Sequence, residues 1–179
     1  MAISDTLRGK YIDLVCAEES DAEFTLEIRN DPELTKYIPV LSGDIEGQKR
    51  WINNQREKEF DVFYVIKRKD ETPIGTLSFY DYVEGSNSCE IGRYISHGNA
   101  FENIEAVLLM LDFLFSEHHV DWVLLNIHEN NTPVISLWKR FGAQFVCDEQ
   151  KDGWKSVQYH LKRIDYDNNR EMIAKLLRY

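Results

Sequence analysis

The chain has 179 residues, 43% of them hydrophobic and 12% aromatic, which is enough for one domain (residues 1–179) with a real core. Its 21 basic and 31 acidic residues leave a net charge of −10, which argues against broad contact with nucleic-acid phosphates. Cys16, Cys89 and Cys147 are widely spaced and form no metal-ligand pattern, so a reduced, cytoplasmic setting with no metal is expected.

Residues 11–15 read as a first strand, and residues 18–29 as a helix that Ser20 or Asp21 could cap. Asn30-Asp31-Pro32 ends that helix, because the residue before proline avoids the α region. A short helical turn is expected through Lys36. Ser42-Gly43-Asp44 then opens a second helix over residues 45–58, carrying Trp51 and Ile52. Residues 61–67 and 74–82 read as strands around a turn at Asp70-Glu71-Thr72-Pro73, and Glu84-Gly85-Ser86-Asn87 turns into a strand that starts at Cys89.

Ile104, Val107, Leu108, Leu111, Leu114 and Phe115 recur at three- and four-residue steps and mark a helix. Asn99 with Glu102 has the spacing of a capping box at its start. A strand that runs straight into a helix start leaves backbone N–H groups at the helix mouth, a natural anion site. The apolar run AVLLMLDFLF is too short to span a bilayer and is broken by Asp112, so no membrane segment is expected. The opening MAISDTLRGK lacks the apolar stretch of a secretory signal. Residues 122–127 read as a buried apolar strand. Asn131-Thr132-Pro133 opens a helix that ends at Gly142, and residues 143–147 and 154–161 read as a closing hairpin around Lys151-Asp152-Gly153. Residues 165–179 form an amphipathic tail helix whose apolar face suits either the sheet or a homodimer interface. The element order implies an α/β or α+β protein with a mixed sheet of about six to seven strands and helices on both faces.

That order resembles the GNAT superfamily of acyl-CoA-dependent N-acyltransferases, over residues 11–161. The run Arg29-Asn30-Asp31-Pro32-Glu33-Leu34 is similar to the family's exit from its first helix. Residues 63–66 followed by Pro73-Ile74-Gly75 resemble its hairpin, and residues 90–95 its fourth strand. Asn131-x₅-Leu137-Trp138-x₃-Gly142 resembles the cofactor motif Asn-x₅-Leu-Tyr-x₃-Gly-Phe. The branch it resembles most holds ribosomal-protein N-terminal, sugar-amine and polyamine acetyltransferases.

The resemblance implies a GNAT fold whose fourth and fifth strands splay apart, with acetyl-CoA in the gap. It implies direct transfer of the acetyl group to a primary amine of a small molecule, an amino sugar on a nucleotide carrier being one concrete option. A protein N-terminus and a polyamine are rival acceptors, and a GNAT-fold binding or regulatory module without turnover is the alternative of another class. Arg93, Tyr94, Ile95, His97, Gly98, Asn103, Asn131 and Trp138 are the implied cofactor contacts. Glu90, Asn126 and His128 are the catalytic candidates, Glu90 as a base and His128 as a proton shuttle, and Trp51, Tyr80 and Asp81 are candidates for the acceptor side. Bland readings stand beside these: a surface carboxylate for Glu90, a helix cap for Asn131, and core packing for Trp138 and Trp51.

The sequence departs from the family pattern in three ways. The two glycines of the pyrophosphate loop fall on Phe101 and Asn103, while Glu102 and Glu105 add negative charge there. Trp138 stands where a tyrosine acid is frequent, and Asn126 where some relatives carry a glutamate base.

Overall fold

The chain is described by a computed structural model over residues 6–39, 43–151 and 154–179. Its strands are β1 (Leu7–Arg8), β2 (Ile12–Cys16), β3 (Val62–Arg68), β4 (Pro73–Val83), β5 (Ser88–Ser96), β6 (Trp122–His128), β7 (Gln144–Lys151) and β8 (Trp154–Lys162). Its helices are α1 (Ala22–Asn30), α2 (Ile45–Arg56), α3 (Ala100–Asp112), α4 (Thr132–Arg140) and α5 (Arg163–Leu176). The strands form one sheet in the order β1-β2-β3-β4-β5-β6-β8-β7. That is one or two strands more than the count read from the sequence. The additional strand, β1, has two residues and so carries no periodicity to read; a turn in which the Gly9 amide donates to the Ile12 carbonyl at 2.9 Å folds it onto β2.

Alternation along β3 shows how the layers form. Val62, Tyr64 and Ile66 join the larger core under α3 and α5, while Phe63 and Val65 face α1 and α2 with Ala17, Ala22 and Ile52. On α3, Met110, Leu111 and, just beyond it, Leu114 are fully buried. Burying each such side chain contributes about 1.5–3 kcal/mol relative to exposure. Helices therefore cover both faces, as the pattern required.

Local differences have local causes. The first helix is preceded by a 3₁₀ turn (Glu19–Asp21), and its capping box is made by Glu18 with Asp21, not by Ser20. No helix follows Pro32: the Asp31 carboxylate takes the Glu33 and Leu34 amides and holds a turn. Asp44 caps α2 through the Gly47 amide. The Asn99–Glu102 capping box forms as read, and α3 runs on into a π turn, Phe113–Glu117. Strand β6 is buried on one face only: Val123, Leu125 and Ile127 are in the core, while Asn126 is exposed. Gly142 ends α4 at φ +102°, where its missing side chain avoids the Asp165 carbonyl. Ser42 and the hairpin turn at Asp152-Gly153 lie outside the described residues.

Candidate active site

All neighbouring strands are antiparallel except β5 and β6. Their parallel pairing covers only Ser88, Cys89 and Glu90 against Trp122, Val123 and Leu124, and then stops. Beyond Glu90 the strands separate. The gap continues into a cleft of about 480 Å³. Tyr94, Ile95 and Ser96 of β5 wall one side; Ala100, Asn103 and Ile104 of α3 stand at its end. Asn131, Ser136, Leu137 and Arg140 on and before α4 form the opposite wall, and Leu34, Tyr37 and Ile38 close over it.

A β-bulge marks the fork. Thr76 pairs with Ile95 and Ser78 with Gly92, so Arg93 and Tyr94 together oppose Leu77. Arg93 has φ 51°, and this left-handed step turns its side chain away from the core face that Cys89 and Ile91 occupy. Its guanidinium instead donates to Asp61 at 2.8 Å and lies over the rings of Tyr80 (4.2 Å) and Trp51 (5.3 Å). Arg93 thus packs beside Asp61, Tyr80 and Trp51 and does not line the cleft. A second bulge, at Asp81 (φ 54°) and Tyr82 opposite Cys89, leaves the Asp81 side chain exposed.

Glu90 is the last β5 residue paired to β6, and its carboxylate accepts from the Tyr80 hydroxyl at 2.9 Å. Burial, then the Glu90 charge, pushes the Tyr80 phenol far above its ordinary value, so the phenol acts as a donor. Cys89, beside it, is buried, and its thiol is pushed up to about 12 by burial and by Glu90, which removes it as a nucleophile. At the far end of β6, His128 is half-buried, accepts the Asn130 amide on Nδ1 at 3.1 Å and packs its ring 5.1 Å from Tyr37. Trp51 is half-buried and meets Phe63 edge-on at 5.0 Å.

The helix mouth differs from the bare anion site that the sequence suggests. Asn99 Oδ1 accepts the Phe101 and Glu102 amides, and Glu102 accepts the Asn99 amide in return. Ser96 Oγ accepts the Gly98 amide and donates to Asn103, whose amide group donates to the Gly98 carbonyl. The exposed side chain of His97 lies outside the cleft lining, and its backbone amide bonds Ile74. Ala100 lines the cleft and keeps its amide uncommitted among the described residues.

Neither acidic residue of this turn faces the mouth as a free charge. Arg68 clamps Glu102 at 2.6 and 3.2 Å and holds its carboxyl below the usual range. Glu105 is fully buried and gathers the amides of Lys10, Tyr11 and Ile12. Phe101 points out, 48% exposed, with its ring 6.3 Å from Tyr11. Phe101 therefore does not fill the mouth, and the added negative charge of Glu102 is paired with Arg68.

Two further expectations shift. Asn131 makes no side-chain cap bond and lines the cleft instead. Trp138 is 2% exposed and packs in the core with Phe141, so its indole does not reach the cleft wall. Of the sequence-derived residues, Tyr94, Ile95, Asn103 and Asn131 come together in the cleft, and Glu90, Tyr80, Arg93 and Trp51 come together behind it. Asp61, which fixes Arg93, had no sequence signal, because a loop carboxylate before a strand resembles any other.

Residues 12–144 match the family described as Acetyltransferase (GNAT) domain. The chain is 28% identical over 132 residues to the uncharacterized N-acetyltransferase YnaD of Bacillus subtilis (strain 168), covering 71% of this chain and 75% of that protein. It is 27% identical over 148 residues to the uncharacterized N-acetyltransferase p20 of Bacillus licheniformis, covering 78% and 83%. Among solved structures it superposes on apo FdhC, described as a nucleotide-linked sugar GNAT, with a TM-score of 0.85 and 28% identity over 98% of this chain and 99% of that one. With the profile spanning most of the chain and the strand fork in place, this protein is an N-acetyltransferase of the GNAT family.

Proposed function

We propose that the protein transfers an acetyl group from acetyl-CoA directly to a primary amine of a small molecule, with an amino sugar on a nucleotide carrier as the leading acceptor. The observation that carries this is the three-residue pairing of β5 with β6, which leaves strand backbone and a 480 Å³ cleft open beyond Glu90. A pantetheine arm can lie there as an added strand. The residues lining the cleft suit such a guest: Ile95, Ile104 and Leu137 are apolar, Asn131 and Ser136 offer polar contacts, and Arg140 offers a cation for phosphate. The amino-sugar reading leans on the 28% identical nucleotide-linked sugar GNAT, which spans nearly the whole chain.

In this reading the amine nitrogen attacks the thioester carbonyl, the C–S bond breaks, and the amine proton passes to Glu90 directly or through a water. Asn126 and His128 stand on the same face of β6 as Leu124, which pairs with Glu90. They serve to orient the amine. Tyr94 lines the cleft, and burial raises its phenol well above the ordinary value. It stays protonated, and its O–H stabilises the departing sulfur where the indole of Trp138 cannot. The buried, protonated Cys89 favours direct transfer over a covalent enzyme intermediate.

Acetyl-CoA at millimolar concentration is expected to raise the melting temperature, because it binds only the folded chain. Thiol release is then followed with a nucleotide-linked amino sugar, spermidine and a ribosomal-type N-terminal peptide. The reading requires the sugar to give the highest kcat/KM. A higher value for either other amine overturns the acceptor assignment, and no thermal shift at all overturns the donor.

A further inference from the structure

We propose that Tyr80 is the positioning residue for Glu90, and that Gly92 exists at its position to let the Tyr80 hydroxyl through. The inference rests on the reading of Glu90 as the base. Tyr80 and Glu90 are direct cross-strand partners in the β4–β5 ladder. The Tyr80 hydroxyl donates to Glu90 Oε1 at 2.9 Å. To make that bond the phenol passes over residue 92. A Cβ at Gly92 would stand 2.2 Å from the Tyr80 oxygen and 3.1 Å from Cζ, so any side chain there expels the phenol from this rotamer. The outer face of the ring is held as well. The Arg93 guanidinium lies 4.2 Å over it and is itself tied to Asp61 at 2.8 Å. The tyrosine is thereby confined between the strand and a fixed cation, with one rotamer and one hydrogen-bond partner.

The surroundings of Glu90 single out this contact. Tyr80 and Asp81 approach from β4, Arg93 from its own strand, and Asp61 through Arg93. The Cys89 thiol is buried on the opposite face of β5. Facing β6 contributes Leu124, and His160 of β8 stands in register beyond it, paired ring to ring with Trp122. Tyr80 alone donates a hydrogen bond to the Glu90 side chain among the described residues. Burial and the neighbouring carboxylate keep its phenol protonated throughout the working pH range. Such a donor fixes where the free oxygen of the Glu90 carboxylate points.

The test compares kcat and KM for the parent enzyme and for Glu90→Gln, Tyr80→Phe, Gly92→Ala and the double variant Tyr80→Phe/Gly92→Ala. The substrates are acetyl-CoA and whichever amine of the panel above turns over fastest. Glu90→Gln is expected to lose ~100-fold or more, as befits removal of a general base. Tyr80→Phe is expected to lower kcat about tenfold, with KM for acetyl-CoA unchanged. Gly92→Ala should do the same, and the double variant should be no worse than Tyr80→Phe, because both changes remove one bond. A kcat in Tyr80→Phe that matches the parent, while Glu90→Gln is inactive, overturns the positioning role and leaves the base reading standing. Full activity in Glu90→Gln, or no thiol release with any amine, overturns the base reading and this inference with it. If Gly92→Ala does not fold, Tyr80→Phe alone decides.

Discussion

Replacing Glu105 with alanine should destabilise the protein severely while leaving the cleft intact. Glu105 is 0% exposed on α3. Its carboxylate accepts the amides of Lys10, Tyr11 and Ile12 at 2.8, 2.7 and 2.8 Å, and the Tyr179 hydroxyl at 2.5 Å. It joins three parts of the chain: the β1–β2 turn, the central helix and the C-terminal residue. The turn folds this closely because residue 9 is glycine; a Cβ there would meet the Glu105 carboxyl at 2.7 Å. Hydrogen bonds to a charged acceptor contribute about 1.5–3 kcal/mol each, and four sharing one carboxylate are not additive. A loss of about 3–5 kcal/mol follows for Glu105→Ala, a large part of a typical total of about 5–15 kcal/mol. At about 2–4 °C per kcal/mol for a chain of this size, the melting temperature should fall by about 6–20 °C. Urea unfolding followed by tryptophan fluorescence measures this as a lower midpoint at constant m-value. The Kd of the folded variant for acetyl-CoA should not change, since Glu105 does not line the cleft. A loss under about 1 kcal/mol would mean that water replaces the carboxylate at the turn, and the reasoning would be refuted.

Three more outcomes are expected. Ser78 is fully buried and its Oγ has no hydrogen-bond partner among the described residues, so Ser78→Ala should gain about 1 kcal/mol in urea unfolding; a loss would reveal a hidden partner. Arg68 holds the Glu102 carboxyl below its ordinary value, chiefly through their hydrogen bond. That stability is fully present above the unfolded glutamate value of about 4.3 and is lost as pH falls through the lower folded value. Arg68→Met should therefore flatten the rise of stability with pH in that acid window, and an unchanged slope would count against the clamp. Asn99→Ala removes the cap of α3 and should cost about 1 kcal/mol, yet it frees the Phe101 and Glu102 amides for phosphate. The Kd for CoA by calorimetry should stay equal or tighten, and weaker binding would show that Asn99 itself touches the cofactor.

Much of this protein can be read along the chain because its signals are local. The apolar stripe of α3, the Asn99–Glu102 capping box, the Asp44 cap and the glycine stop at Gly142 each depend on residues a few positions apart. Backbone periodicity and hydrogen-bonding chemistry act at that range, so sequence spacing reports them directly. The family resemblance is of the same kind, carried by short runs in a fixed order, and the match over residues 12–144 agrees with it.

What spacing could not report is which way side chains turn once the sheet twists and bulges. The bulge at Arg93 carries that residue off the cleft side and onto Tyr80 and Asp61, a reversal produced by one left-handed φ. Glu102 and Glu105 read as charges beside a phosphate loop, yet tertiary contacts with Arg68 and with the β1–β2 turn absorb both. Trp138 holds a motif position but is drawn into the core beside Phe141, where its large apolar ring is buried. Charge, ring and hydroxyl types were thus determined by the sequence. Their partners were decided by residues tens of positions away, because the approach of a carboxylate to an arginine or a tyrosine is set by packing in three dimensions, not by distance along the chain.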